Sequence, residues 1–304
     1  MNKTTNLMSN SKSAVAKICF SAGKTHFLAR CQNGWDVLVH EEWSDFAPLQ
    51  DLDAWMKLPS SEIVKDTPCR IILKTATPNG VIYTKFMRAQ NDGVIKNHEI
   101  FPKLKWTLAP SRGQRILKTT AAMRALGHPC PVPILGARKR GAFGYPTEIF
   151  IASEITLPTA EDDFYQRSEL VRPELISLCG RRLAALHRDG FIHGDFLPRN
   201  VCPDWKNNTI FFLDNDRTKH HALPMPFFLK RRNLAQFSFN LYLLAEQPVE
   251  PLVTALVDAY AAELKWPDAR RADETSRITR QVNLRWEKHK TGELRRKHLQ
   301  SRQP

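Results

Sequence analysis

The sequence predicts an α+β protein whose N-terminal half is rich in strands and whose C-terminal half is rich in helices. Before about residue 155, short runs of β-branched and aromatic residues recur between turns, which is typical of antiparallel strands. Beyond about residue 160, apolar residues recur at the spacing of amphipathic helices. The chain has 304 residues, 42% of them hydrophobic and 25% charged, which is enough for two units that each bury a core.

The N-terminal half begins with a polar segment, residues 1–13, that we expect to be disordered. Three strand-like runs follow it (VAKICF, HFLARC and WDVLVH), and a short helix is expected within residues 41–58. The clearest element is a hairpin between CRIILKTA (69–76) and VIYTKFMRA (81–89), because TPNG between them is a turn signal.

The rest of this half predicts one helix and further strands. Residues 111–127 have helical apolar spacing, with Ser111 as the candidate N-cap and Gly127 as the stop. HPCPVPILG then reads as an extended run, and YPTEIFIASEI (145–155) as another strand. We therefore assign residues 14–155 to one unit, an antiparallel sheet with one helix.

The second unit, residues 156–268, is predicted to be helical. Apolar residues recur at helical spacing within 169–190, and similar patterns lie at about 231–245 and 250–264. A basic tail, residues 269–304, follows this unit.

Charge and cysteine usage limit the functional classes. The net charge of +14 favours an anionic partner, such as a phosphorylated ligand, an anionic membrane surface or nucleic acid. The six cysteines are scattered, without metal-ligand spacing, which indicates reduced thiols and a cytoplasmic setting. Neither a signal peptide nor a membrane-spanning segment is predicted from the apolar runs.

The most informative stretch is FIHGDFLPRNVCPDWKNNTIFFLDND, residues 191–216, which places short polar side chains between apolar runs. If its loop and the end of its last strand face one cleft, then Asp195, Asn200 and Asp214 converge. Carboxylate and amide oxygens are ligands that Mg²⁺ prefers, and a carboxylate left off the metal accepts a proton from an attacking hydroxyl.

These residues carry a resemblance to a known family. HGDFLPRN matches the H-x-D-x-x-x-x-N catalytic loop of protein-kinase-like enzymes, and Asp214 stands where their metal-binding D-F-G aspartate would be. The combination of ALHRDGFIHGD, PRN and a strand ending in LDNDR resembles the lipopolysaccharide kinases of Gram-negative bacteria, which phosphorylate heptose or Kdo. The resemblance covers roughly residues 65–245.

The resemblance implies a two-lobed protein-kinase-like fold, with a small β-rich N-lobe, a larger helical C-lobe and ATP between them. It implies that Asp195 is the catalytic base, that Asn200 and Asp214 bind Mg²⁺, and that His193 braces the loop. The implied reaction is transfer of the γ-phosphoryl group of ATP to a sugar hydroxyl.

Further residues follow from the same resemblance. Lys85 stands where the family has the lysine that holds the ATP phosphates, and Glu154 and Ile155 would form the hinge that meets adenine. An anionic lipopolysaccharide core is the implied acceptor, with Arg199, Arg217 and Lys219 beside the loop as its candidate contacts.

Some positions depart from the family pattern. The helix predicted over 111–127 has no acidic residue to pair with the ATP lysine, and Gln114 is its nearest polar substitute. No glycine-rich phosphate loop precedes the hairpin, and Leu197 and Asn215 replace residues that are usually polar and aromatic, respectively. Two alternatives remain open: a phosphotransferase of the aminoglycoside kinase type, and a pseudokinase that binds lipid or protein without catalysis.

The basic tail has its own prediction. Residues 270–304 contain 11 Lys or Arg and 4 Asp or Glu, so they supply +7 of the charge. Ile278, Val282 and Trp286 recur at four-residue steps, as on a helix that lies on the inner face of the inner membrane. The competing prediction is that this helix packs on the helical lobe. Nucleic acid is the less favoured partner.

Overall fold

The computed structural model describes most of the chain, and the predicted disordered segment 1–13 lies outside the described part. For residues 17, 18 and 293–300 only the backbone is described. The described residues are 17–57, 61–67, 70–87, 109–139, 146–166, 168, 172–221 and 224–300.

The N-lobe is built on one antiparallel eight-stranded sheet with the order β1-β2-β3-β7-β8-β6-β5-β4. The predicted hairpin is confirmed as β5 and β6, in which Ile72 pairs with Lys85. The strands are β1 (Lys17–Ala22), β2 (Thr25–Gln32), β3 (Trp35–His40), β4 (Glu62–Thr67), β5 (Arg70–Thr77), β6 (Gly80–Met87), β7 (Pro133–Lys139) and β8 (Thr147–Ser153).

Both faces of this sheet are covered, because successive side chains of a strand point to opposite faces. On one face, Phe27 and Leu38 pack against Leu117 of helix α2 (Arg112–Ala125). The other face is covered by residues 41–56, which form two short 3-10 helices and then helix α1 (Leu52–Trp55), the short helix predicted within residues 41–58. In β6, Lys85 lies on the face opposite to Thr84, whose hydroxyl accepts a hydrogen bond from Trp55 at 3.0 Å.

Helix α2 is fixed at its N-terminus by a buried ion pair. The Ser111 hydroxyl accepts from the backbone N–H of Gln114, so the predicted N-cap is confirmed. Glu148 accepts from the Ser111 hydroxyl at 2.7 Å, from the Gly113 N–H at 2.9 Å and from Arg138 Nε at 2.7 Å. A side chain at Gly113 would meet the carbonyl oxygen of residue 149 at 2.2 Å, so only glycine lets the helix approach the sheet this closely.

The C-lobe is helical, as predicted. Its core includes the predicted apolar positions of the second helix pattern, Leu175, Cys179, Leu183 and Leu186. Two small strand pairs flank the central loop: β9 (Phe191–Ile192) with β12 (Lys219–His220), and β10 (Val201–Asp204) with β11 (Thr209–Phe212). The helices are α3 (Ala160–Gln166), α4 (Arg172–Arg188), α5 (Phe227–Ala245), α6 (Glu250–Glu263) and α7 (Asp268–Gln300).

Helix α7 contradicts one expectation. Ile278, Val282 and Trp286 are only 0%, 0% and 5% exposed, because this face of α7 packs on the C-lobe core. The expectation that these three residues face a membrane is therefore wrong, and the competing prediction of packing is confirmed. The ion pair between Arg231 of α5 and Glu274 also holds the helix in place, at 2.7 Å. Within the described ranges, no helix combines the length and apolar character of a membrane span.

Candidate active site

The loop after β9 is braced from the inside by His193, which is fully buried. A carbonyl oxygen can only accept, so His193 Nε2 donates to the Leu213 carbonyl at 2.9 Å. His193 Nδ1 then accepts from the backbone N–H of Asp195 at 3.3 Å. Burial lowers the pKa of His193, which keeps the ring neutral, as this pair of bonds requires. The loop and the end of β11 are thereby tied together through one ring.

A second layer of buried hydrogen bonds supports this ring. Asn233 of α5 donates through Nδ2 to the His193 carbonyl at 2.7 Å, so its Oδ1 accepts from His187 Nε2 at 3.0 Å. His187 Nδ1 accepts from the Tyr260 hydroxyl of α6 at 2.9 Å. Burial lowers the pKa of His187 to about 3, so it too is neutral.

The loop after β9 presents Asp195 and Asn200 at the surface of the C-lobe. Asn200 donates through Nδ2 to the Asp195 carbonyl at 2.9 Å, which leaves its Oδ1 to act as an acceptor or metal ligand. The backbone carbonyl of Asn200 accepts from the Leu213 N–H at 2.9 Å. The Asp195 side chain is 31% exposed, so a substrate hydroxyl has access to its carboxylate.

Asp214 follows β11 in the left-handed conformation, with φ 49°. Its Oδ1 lies 2.8 Å from Lys85 Nζ and its Oδ2 lies 3.9 Å from Arg70 Nη1. Burial raises the pKa of Asp214, but the charge and hydrogen bond of Lys85, with Arg70, outweigh this and hold that pKa below its ordinary value. The carboxylate is therefore ionised and faces two cations of the N-lobe.

Lys85 has a second carboxylate partner. Its Nζ lies 2.8 Å from Asp216 Oδ2, and Asp216 also lies 3.3 Å from Nη2 of Arg112, the first residue of α2. Asp216 is only 7% exposed, whereas Asp214 is 28% exposed. Each carboxylate thus has two cationic neighbours, and because both share Lys85, the cluster consists of three cations and two carboxylates.

Sequence reasoning missed three residues of this site: Arg70, Arg112 and Asp216. Two signals were available for Asp216. It follows Asp214 at two residues' distance in LDNDR, and α2 has no acidic residue to pair with the lysine. Arg70 and Arg112 had no comparable signal, because only the tertiary fold brings the start of β5 and the start of α2 over the end of β11.

The predicted acceptor residues do not form one cluster. Arg217 Nη1 lies 3.8 Å from Asp195 Oδ2, and its guanidinium is well exposed at the mouth of the cleft. The close packing of Arg217 on Gly194 explains this position, because a Cβ at residue 194 would lie 2.0 Å from the Arg217 Cβ. Arg199 and Lys219 are exposed and have no ion-pair partner in the part of the chain that the structure describes.

The predicted hinge residues connect β8 to the C-lobe. The backbone N–H of Glu154 donates to the Val81 carbonyl at 2.9 Å, so it is already engaged. The Glu154 side chain binds Lys74 Nζ at 2.8 Å and the Tyr83 hydroxyl at 3.4 Å. Of the two predicted adenine-facing N–H groups, that of Ile155 has no backbone partner among the described residues.

No protein-family model matches the chain. The structure titled "WaaP in complex with acyl carrier protein" superposes with a TM-score of 0.56 at 12% identity, covering 81% of this chain and 98% of that one. The chain has a protein-kinase-like fold. The predicted fold class is thus confirmed, and the small lobe is the antiparallel sheet.

Two further proteins resemble this chain over a smaller part of their own length. The bifunctional kinase-methyltransferase WbdD gives TM-scores of 0.42 and 0.43 at 19% identity, and this chain covers 47% and 49% of the two structures. A probable bifunctional tRNA threonylcarbamoyladenosine biosynthesis protein of Haloquadratum walsbyi is 27% identical over 185 residues. Those residues are 58% of this chain and 30% of that protein, so the chain spans under a third of the relative's length.

Proposed function

We propose that the protein is an ATP-dependent kinase that phosphorylates a sugar hydroxyl of the lipopolysaccharide inner core, on heptose or Kdo. The observation that carries this proposal is the meeting of Lys85 with Asp214 in the cleft beside the Asp195–Asn200 loop, on a protein-kinase-like fold. The LDNDR ending and the net charge of +14 favour an anionic acceptor over a cationic aminoglycoside.

On the donor side, Asn200 Oδ1 and the Asp214 carboxylate would hold Mg²⁺. No group of three His, Cys, Asp or Glu side chains forms a metal site within the described residues. Two oxygen ligands nevertheless fit Mg²⁺, because this ion usually keeps several waters and takes its other ligands from substrate phosphates. When bound, it neutralises phosphate charge. Lys85 and Arg70 would hold the α- and β-phosphates from the N-lobe side.

On the acceptor side, the partly exposed Asp195 carboxylate accepts the proton of the attacking sugar hydroxyl. That oxygen forms the new bond to the γ-phosphorus while the bond to the β-phosphate oxygen breaks and ADP leaves. Arg217, beside Asp195, would bind an anionic group of the acceptor next to the reacting hydroxyl. This arrangement needs no charge on His193, whose role is to fix the loop.

The acceptor is a lipid-linked sugar, so we place the protein at the cytoplasmic face of the inner membrane. The apolar face of α7 does not make that contact, since it is buried. Several basic residues of α7 are exposed, among them Arg277, Arg280 and Lys288. These side chains would bind anionic headgroups electrostatically. This contact requires no inserted side chain.

The proposal is tested by incubating the purified protein with Mg-ATP and core oligosaccharide that lacks phosphate. A gain in mass of one phosphate on the sugar is expected with the wild type and not with Asp195→Asn. An aminoglycoside as the better acceptor would favour the small-molecule phosphotransferase. ATP binding without transfer to any of these acceptors would favour the pseudokinase.

A further inference from the structure

A protein-kinase-like site needs a carboxylate that keeps the ATP lysine in place, and helix α2 does not supply one. No acidic residue occurs in residues 111–127. The polar substitute expected there, Gln114, points elsewhere, because its Nε2 donates to the Asp36 carbonyl at 3.2 Å. The lysine must therefore find its anchor outside the helix.

The two carboxylates at Lys85 differ in what else they can do. Asp214 is 28% exposed and is one of the two proposed metal ligands, so the proposed reaction gives it a second partner besides the lysine. Asp216 is 7% exposed and has a second cation, Arg112, at 3.3 Å. A buried carboxylate held by two cations is costly to separate from either of them. Asp216 is therefore the partner that stays.

The local backbone explains how both carboxylates reach one lysine. The left-handed conformation of Asp214 leads into a 3-10 turn over Asn215–Arg217, closed by the Thr218 N–H bonding the Asn215 carbonyl at 3.1 Å. Asn215 is buried, and its Nδ2 donates to the Phe212 carbonyl at 3.3 Å. Asn215 thus fixes the turn to the end of β11, and residues 214 and 216 on either side of it both face the N-lobe.

We propose that Asp216 is the positioning residue that holds Lys85 on the nucleotide phosphates, in place of a helix glutamate. Arg112, in the first turn of α2, also pairs with Asp216, so the helix is coupled to Lys85 through this carboxylate. The helix therefore contributes a cation to the arrangement, where a helix glutamate would contribute an anion. Lys85 exchanges Asp214 for phosphate oxygens when Mg-ATP binds and keeps Asp216 throughout. This inference rests on the proposed kinase function.

The first test is a double-mutant cycle in kinetics, using Lys85→Met, Asp216→Asn and the double variant. Asp216→Asn is expected to lower kcat by roughly 10- to 100-fold with a smaller change in KM for ATP, the scale of one lost charge-assisted hydrogen bond. In the Lys85→Met background the same substitution should change kcat by less than about twofold, because its target is gone. Equal losses in both backgrounds would overturn the inference, since a metal ligand or a purely structural residue acts without Lys85.

Conservative and matched variants separate positioning from folding. Asp216→Glu keeps the charge and should recover part of kcat. Asp273→Asn removes an exposed carboxylate that pairs with Arg277 on α7, and it should leave kcat unchanged. If Asp216→Asn does not fold, Arg112→Gln keeps every carboxylate and should still lower kcat several-fold, again only when Lys85 is present. Wild-type kcat in that variant would count against the inference.

A second readout does not depend on turnover. The same cycle measured by urea unfolding without nucleotide reports the coupling between Lys85 and Asp216 directly. A clear coupling is expected, and zero coupling would overturn the inference even in an active enzyme. A wild type that shows the coupling but phosphorylates no sugar would instead overturn the proposed function.

Discussion

Two ion-pair clusters, one within the N-lobe and one between the lobes, differ in whether their partners can change. The pair between Arg138 and Glu148 is only 3% exposed on each side, and Glu148 also accepts from Ser111 and Gly113. The cluster at Lys85 is more open, and one of its carboxylates, Asp214, faces the cleft at 28% exposed. The first cluster has a single arrangement that fixes helix α2. The second has two carboxylates for one lysine, which permits an exchange of partners.

The largest expected effect comes from breaking the fixed cluster. Glu148→Ala leaves the Arg138 guanidinium buried without its carboxylate and frees the N-terminus of α2. Breaking a buried pair from one side usually costs about 3–5 kcal/mol, so the free energy of unfolding should fall by that amount in urea. Glu287→Ala, an exposed position on α7, is the control. A loss below about 1 kcal/mol would mean that the pair does not hold the helix.

Helix α7 is a third region, and it belongs with the fixed part of the molecule. Ile278→Ala removes a fully buried side chain and should cost about 3 kcal/mol of stability. Leu284→Ala on the same helix removes a side chain that is 57% exposed and should cost almost nothing. Urea unfolding of both variants decides the matter. If both variants lose equally little free energy of unfolding, then α7 is only loosely attached to the C-lobe.

Breaking the cleft should affect the reaction and not the fold. Asp195→Asn keeps the size of the side chain and removes the proton acceptor. Phosphoryl transfer should fall by about 100-fold, the usual scale for a lost general base, while the unfolding midpoint stays the same. Sugar phosphorylation followed by mass analysis measures the first and urea unfolding the second. Transfer near the wild-type rate would remove Asp195 from its proposed role.

The sequence predicted the fold around the cleft better than the side-chain contacts between the two lobes. HGDFLPRN and the strand ending at Asp214 predicted a two-lobed fold through the family resemblance that they carry, which is visible because these residues lie close together in the sequence. Asp216 as the partner of Lys85 was not predicted, since residues 131 positions apart meet only through the packing of two lobes. The site assignments themselves remain predictions for the experiments described here.

The error at α7 has a physical cause as well. Ile278, Val282 and Trp286 share one face, and an apolar face of a basic helix suits either a membrane or a protein core. The sequence does not show whether a membrane or the protein core covers this apolar face, because that depends on where α5 and α6 pack. The ring of Tyr242 in α5 lies 5.9 Å from the ring of Trp286, which shows that the core covers this face here.

The buried histidines predict a pH dependence that belongs to the fold. The pKa of His187 in the folded protein is about 3, below its value near 6.5 in the unfolded chain. The unfolded chain therefore binds an additional proton between these values, and stability falls as the pH falls through that window, by up to about 1.4 kcal/mol per unit. His187→Gln should show a shallower slope in urea unfolding between pH 7 and pH 5. An unchanged slope would mean that His187 does not titrate in this way.

The smallest effect is expected for Arg70, at the edge of the ion-pair cluster around Lys85. Arg70 is the first residue of β5 and lies 3.9 Å from Asp214, and both side chains are about a third exposed. A pair this open contributes little to stability, so Arg70→Ala should leave the unfolding midpoint unchanged. Its other expected role, in place of a glycine-rich loop, is to hold phosphate.

Arg70→Ala should therefore raise the KM for ATP several-fold with little change in kcat. Arg70→Lys should give a smaller increase, because an ammonium keeps the charge but cannot bind two phosphate oxygens side by side. Arg271→Ala is the matched control, since Arg271 is 45% exposed and pairs with Asp258 at 3.7 Å, on the outside of the C-lobe. If Arg70→Ala and Arg271→Ala have the same KM, then Lys85 alone holds the phosphates on the N-lobe side. The exchange at Asp214 then depends on a single cation.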